Sequence, residues 1–169
     1  MLAEIKAYIE TLQELRSQVA LIVKDVSVDG LNWRPSLPEG ADPTNSLGVL
    51  AFHCAGSEHG WIAETIASFP KTRIREDEFK YVATTASKAL EPLAAVAKES
   101  EEILNHLTSE QLEGDIDKDG KKLPLRWIIH HVIYHYALHI GHMQLTYQLW
   151  NKGMAATSPR WFDRIPKTS

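Results

Sequence analysis

From Ile5 the apolar positions of the chain recur as Ile5, Tyr8, Leu12, Leu15, Val19, Ile22 and Val26, in alternating steps of three and four. That is the spacing of one buried face in a left-handed helical bundle, and it predicts a first helix ending near Asp29 and Gly30. The next stretch, NWRPSLPEGADPTNS (32–46), is rich in residues that set turns, and predicts a long, well-packed connection. Asn45 or Ser46 then caps a second helix over 47–69, closed by Pro70, with Leu50, His53, Ser57 and Trp61 on its inward stripe. The charged KTRIREDEFK (71–80) is expected to be a mobile link to a third helix built on Ala86, Leu90, Leu93, Ala97, Ser100, Leu104 and Leu107. Pro92 falls inside that run, so the helix is expected to kink there or to begin near it. Asp119-Gly120 marks a tight turn flanked by two short strands. A fourth helix follows over 125–151, started at Pro124 or Leu125 and closed by Gly153. Trp161 and Phe162 are expected to anchor the tail. Four long amphipathic helices in one chain read as an all-α four-helix bundle, a single domain over 1–169.

Composition narrows the partners. The formal charge is -4, and Lys and Arg are scattered rather than gathered on one face, which argues against nucleic acid as the main partner. The lone cysteine, Cys54, allows no internal disulfide and no thiolate-only metal site, and fits a reducing cytoplasm. The N-terminal segment is acidic and amphipathic, and no run of about 18 apolar residues occurs, so neither a secretion signal nor a membrane span is expected.

The chemistry lies in HHVIYHYALHIGH (130–142), which holds five of the eight histidines. The seam expected to face the bundle interior runs through Ile128, His131, His135, Leu138 or His139, His142 and Leu145, so imidazoles stand where leucines would serve. Residues four apart share a helical face, and His135 and His139 can therefore aim at one point. His53, on the inward stripe of the second helix, is the best-placed third ligand. Three neutral imidazoles with open coordination positions suit a divalent ion, Zn or Ni foremost. Burying several imidazoles uncompensated costs on the order of 1–3 kcal/mol each, so a shared ion is a simpler account than hydrogen-bonded core histidines. Neutral ligands also imply that the ion leaves as pH falls toward and below about 6. His131, His142, Ser57 and Trp61 are read as pocket-lining, His130, His59 and His106 as surface residues, and Cys54 as core. DIDKDG (115–120) begins like a calcium loop, but its twelfth position is Arg126 where a bidentate Glu is needed. There is no HExxH, and no Glu stands three residues before a His, which removes the usual zinc-protease and di-iron arrangements.

LNWRPS, SLGVLAFHCAGSEHGWI and LRWIIHHVIYHYALHIGHMQL together resemble the DinB-like (DinB/YfiT-like) family of metalloenzymes, over nearly the whole chain. The resemblance implies an up-down-down-up bundle whose metal is held by one His of the second helix and an HxxxH pair of the last. These fall on His53, His135 and His139. His131 and His135 form an HxxxH as well, which leaves the register open between two pairs. The ending Ile140-Gly141-His142 resembles the family's HxGQ type and favours the later pair, with His142 where Gln is frequent. The family includes transferases and isomerases that use a low-molecular-weight thiol such as bacillithiol, mycothiol or glutathione. The resemblance thus implies a metal-dependent enzyme acting on a small molecule, with that thiol as cosubstrate, and a homodimer. A metal-dependent hydrolase at the same site, or a non-catalytic metal-stabilised bundle, are the alternatives.

Overall fold

A computed structural model describes residues 1–156, and each of the four long apolar patterns is a helix in it. These are α1 (Ala3–Val23), α3 (Leu47–Trp61), α5 (Ala86–Asn105) and α7 (Leu125–Trp150). Between them lie three short helices, α2 (Val28–Asn32), α4 (Arg75–Glu78) and α6 (Ser109–Glu113), and a hairpin of β1 (Asp115–Lys118) and β2 (Lys121–Pro124). Side chains cap the starts of α3, α5 and α6. Ser46 accepts the backbone N–H of Val49 at 3.3 Å, Thr85 that of Lys88 at 3.1 Å, and Thr108 with Gln111 forms a reciprocal cap on α6. The hairpin turns through Asp119 and Gly120, both at positive φ (54° and 80°), the conformation a two-residue turn of matching twist demands.

The helix order around the bundle is read from side chains. Glu4 meets Arg126 and Tyr8 meets His130, so α1 and α7 run parallel. Trp61 meets Trp127 while His53 meets His139, so α3 and α7 run antiparallel. Phe52 to His59 line one groove with Pro92 to Glu99, and Ile66 to Phe69 line the next with Ile103 to Leu107, which makes α3 and α5 parallel. The chain is therefore an up-down-down-up four-helix bundle, with α1 and α3 on one diagonal. Its core includes Leu12, Val19, Leu31, Leu47, Leu104, Ile128, Ile129 and Met143, all fully buried, each contributing about 1.5–3 kcal/mol relative to an exposed side chain. No helix among the described residues is long and apolar enough to cross a membrane.

Several local expectations change. The first helix ends at Val23, and Gly30 lies within α2. Trp150 packs so closely there that a Cβ on Gly30 would stand 2.6 Å from its ring. The second helix is α-helical only to Trp61, continues as a π-helical turn over Ile62–Ile66, and is over before Pro70, with Ser68 at φ 57°. Pro92 neither breaks nor delays α5: the cap at Thr85 secures the first turn, and the proline ring faces the α3 groove. The connection over 32–46 is not well packed. Residues 36–43 are exposed, and its anchor is Asn32, whose amide bonds both backbone groups of Ala83 at 2.8 Å. In α7 the buried face is Leu125, Ile128, Ile129, Val132, Tyr136, Ile140 and Met143, whereas Leu138 and Leu145 are each 57 % exposed. The helix is thus rotated by one residue, about 100°, from the expected seam, because the core takes the wholly apolar stripe and leaves the histidines at its edge. Trp161 and Phe162 lie outside the described residues.

Candidate metal centre

That rotation turns the edge of α7 toward α3. His53 is buried on α3, and His135 and His139, half-buried, come from successive turns of α7. His135 Nε2 lies 3.1 Å from His53 Nε2 and 3.2 Å from His139 Nε2. Two ligands held at 2.0–2.1 Å by one tetrahedral ion stand about 3.3 Å apart, so three nitrogens at this spacing fit a shared divalent cation. His135 Nδ1 is buried and has no hydrogen-bond partner. The cluster can hold a metal, and among the described residues no thiol or carboxylate joins it.

Burial and neighbouring charge favour the neutral form of the two α7 imidazoles. Burial, followed by the neighbouring His139 and His53, lowers His135 to about 3, and burial, followed by His53 and His142, lowers His139 to about 4. His53 Nδ1, on the far side of its ring, is 2.6 Å from Glu78 Oε2. Burial alone would raise the Glu78 carboxyl, but hydrogen bonds from His53 and Arg73, with the Arg73 charge, outweigh it and hold the pKa below the usual range.

The remaining predicted residues surround the cluster. His131 does not join it: its ring stacks on Trp127 at 5.1 Å, meets Trp61 edge-on at 4.8 Å, and its Nδ1 lies 2.6 Å from the Tyr134 hydroxyl. Trp61 is half-buried and carries Lys118 Nζ 4.2 Å above its ring. His142 is exposed, 3.4 Å from His139 Nδ1, and lines a 270 Å³ groove with Leu50 and Thr44. Ser57 is buried one turn from His53, and Cys54 is buried in the core, where burial pushes its thiol pKa up. His130 and His106 are at the surface. His59 is not free there: it is half-buried and bound to Glu99 at 2.7 Å and Thr72 at 3.0 Å.

The sequence reading missed Glu78 and Arg73, which lie in the segment expected to be mobile. That segment is instead held: Glu64 Oε1 accepts the backbone N–H of Arg73 at 2.7 Å and of Thr72 at 2.5 Å, and Glu78 is 2 % exposed. It also missed the buried Glu58, bound by Arg16 at 2.6 Å and by the Tyr136 hydroxyl at 2.7 Å. Arg16 standing among Leu12 and Val19 on the apolar face of α1 was the available signal.

The fold and site define a helical-bundle protein with a three-histidine cluster between its second and fourth long helices. The sequence matches the DinB superfamily over residues 11–143, and the chain belongs to that family. Solved structures agree on the fold. A conserved protein from Enterococcus faecalis superimposes with a TM-score of 0.70 at 19% identity, covering 88% of this chain and 98% of its own. A DinB-like protein from Bacillus cereus ATCC 10987 gives 0.69 at 16% identity, covering 92% and 97%. No curated protein matches the chain.

Proposed function

We propose that the protein is a divalent-metal-dependent enzyme whose ion is held by His53, His135 and His139, and whose reaction transfers a low-molecular-weight thiol to a small electrophilic substrate. The observation that carries the reading is the convergence of three imidazole nitrogens, with His135 Nε2 3.1 Å from that of His53 and 3.2 Å from that of His139. A shared ion lets all three ring nitrogens present lone pairs to one point, whereas a hydrogen-bonded histidine core needs at least one of the facing nitrogens to carry a hydrogen. A divalent ion at this point supplies Lewis acidity, which favours the ionised form of a coordinated thiol or water.

The chain's own groups prepare that chemistry. Glu78 holds the far nitrogen of His53, which leaves Nε2 facing the cluster. Three protein ligands leave coordination positions open to a small molecule, as catalytic rather than structural sites do. Trp61, Trp127 and His131 form an aromatic wall beside His135, and His142 borders the cluster on the other side. The substrate is a small molecule; the ion's identity as Zn or Ni, a cytoplasmic location and a homodimer belong to the same proposal.

Replacement of the ion by Co(II) tests it. Addition of bacillithiol, mycothiol or glutathione should produce a sulfur-to-cobalt absorption band that is absent from His53→Ala and His139→Ala. Stoichiometric metal with no response to any of the three thiols would remove the thiol reaction. Purified untagged protein that takes up no metal would remove the metalloenzyme altogether.

A further inference from the structure

We propose that Glu78, braced by Arg73 and seated against Gly56 and Gly60, is the positioning group for His53, and that it sets the affinity of the site by fixing which nitrogen of that ring faces the ion. The proposal rests on the reading of the three histidines as a metal site.

An imidazole can offer either nitrogen, and a ligand must offer a lone pair in one fixed direction. Glu78 Oε2 is 2.6 Å from His53 Nδ1. Arg73 donates to both oxygens of the carboxyl, which makes it an acceptor toward His53 as well, so Nδ1 carries the hydrogen of that bond and Nε2 is left to offer a lone pair. That is the nitrogen 3.1 Å from His135. Arg73 locks the carboxylate from behind through a two-pronged pair, Nε to Oε1 at 2.6 Å and Nη2 to Oε2 at 3.1 Å. Arg73 is fixed in turn by Glu64, which accepts its backbone N–H.

The face of α3 is shaped to receive this pair. A Cβ on Gly56 would overlap Glu78 Oε1, and a Cβ on Gly60 would stand 2.8 Å from Arg73 Cδ. Both glycines are helical, so their value here is space and not backbone freedom. The carboxylate cannot swing clear of a methyl group at 56 without releasing His53 or Arg73. A tie serving stability alone would need no particular ring nitrogen, and buried ion pairs are weak sources of net stability. Here the bond falls on the nitrogen opposite the cluster, the arrangement that orients metal-ligating histidines.

Metal competition with a chelator, on untagged full-length chain, tests the proposal with Glu78→Ala, Glu78→Gln and Gly56→Ala. Glu78→Ala and Gly56→Ala should each weaken Zn binding about 10- to 100-fold, with Glu78→Gln between them and wild type, because an acceptor of the same shape remains. Metal-free wild type should also show a slowly exchanging His53 Nδ1–H proton resonance, absent from Glu78→Ala. Wild-type affinity in Glu78→Ala and Gly56→Ala would overturn the proposal and leave the metal site standing. Should a variant fail to fold, the resonance in wild type decides, and a His53 ring bearing its proton on Nε2 overturns the proposal. Wild type that binds no ion is a different result: the metal reading fails, and the resonance still reports whether Glu78 sets the tautomer.

Discussion

Two groups of polar side chains are buried in the same bundle, and they differ in the chemistry of the groups that face one another. Glu58 lies five residues beyond His53 on α3, and Tyr136 follows His135 on α7, yet the two groups solve burial in opposite ways. Around Glu58, Arg16 donates at 2.6 Å and Tyr136 at 2.7 Å, while the second Arg16 amine reaches Glu101 at 3.3 Å. Around His135, ring nitrogens face ring nitrogens, with Nε2 3.1 Å from that of His53 and 3.2 Å from that of His139. The first network ties α1, α3 and α7 together through a carboxylate that accepts from a guanidinium and a phenol. The second sets imidazole nitrogens against one another, an arrangement that an ion among them would satisfy.

The comparison breaks most sharply at Glu58. Glu58→Ala leaves Arg16, only 7 % exposed, as a buried charge without its main partner, and should cost about 3–5 kcal/mol in urea denaturation. Its metal stoichiometry should stay at the wild-type value; loss of the ion in a folded Glu58→Ala protein would mean that the two clusters are one. The histidines should behave conversely. His53→Ala or His139→Ala should abolish metal binding and change metal-free stability far less than Glu58→Ala. At a hundredfold excess over Kd, an ion that binds only the folded chain stabilises it by about 2.7 kcal/mol, a gain visible as a raised Tm in wild type and missing from both variants. A metal-induced shift that survives in His53→Ala would place the ion elsewhere.

Acid separates the clusters further. His135 and His139 are lowered from the ordinary 6.5 to about 3 and about 4, by burial first and neighbouring histidines second. Unfolded chain takes up these protons near pH 6.5, whereas the folded, metal-free protein does so only near pH 4 and below. The unfolded state therefore binds more protons in between, so stability is full at neutral pH and is lost as pH falls below about 6.5. Urea midpoints with EDTA from pH 7.5 to 4.5 should decline on the acid side; a flat profile over that range would contradict the burial argument. Metal content after dialysis at pH 7 and at pH 5 checks the expectation that an ion leaves as pH falls toward and below about 6: loss at pH 5 bears it out, and full retention means that the depression of His135 and His139 delays proton competition.

How much of this was legible depends on what fixes each residue's position. His135 and His139 were legible because helix geometry alone sets residues four apart on one face. His53 was legible because it shares the inward stripe of α3 with Leu50. The orientation of α7 was not, since the stripe through His131, His135 and His142 and the stripe through Val132, Tyr136 and Met143 have equally good helical spacing one residue apart. Only packing against α1 and α3 decides between them. Glu78 was illegible for a different reason. Its charged segment carries no periodicity, and what brings it to His53 is the grip of Glu64 on the Thr72 and Arg73 backbone together with the space left by Gly56 and Gly60. Arg16 was half legible: an arginine on an apolar stripe calls for a buried anion, but nothing in the spacing names Glu58.

The smallest expected effect settles the choice between the two HxxxH pairs. His131 lies one turn before His135, as His139 lies one turn after, so spacing alone treats the two as equivalent partners. Their surroundings do not. The His131 ring is stacked on Trp127 and abuts Trp61, its centroid is 6.0 Å from that of His135, and its Nδ1 is engaged by Tyr134. The His139 ring centroid is 4.4 Å from that of His135, with Nε2 aimed at the shared point. His131→Phe keeps a flat ring between the two tryptophans and removes only the nitrogens. Metal stoichiometry should be unchanged and affinity within about twofold of wild type, a null result that His139→Phe should not share. A His131→Phe protein that folds normally and loses its ion would move the site one turn toward the N-terminus of α7, and the Glu78-oriented His53 would then face a different pair.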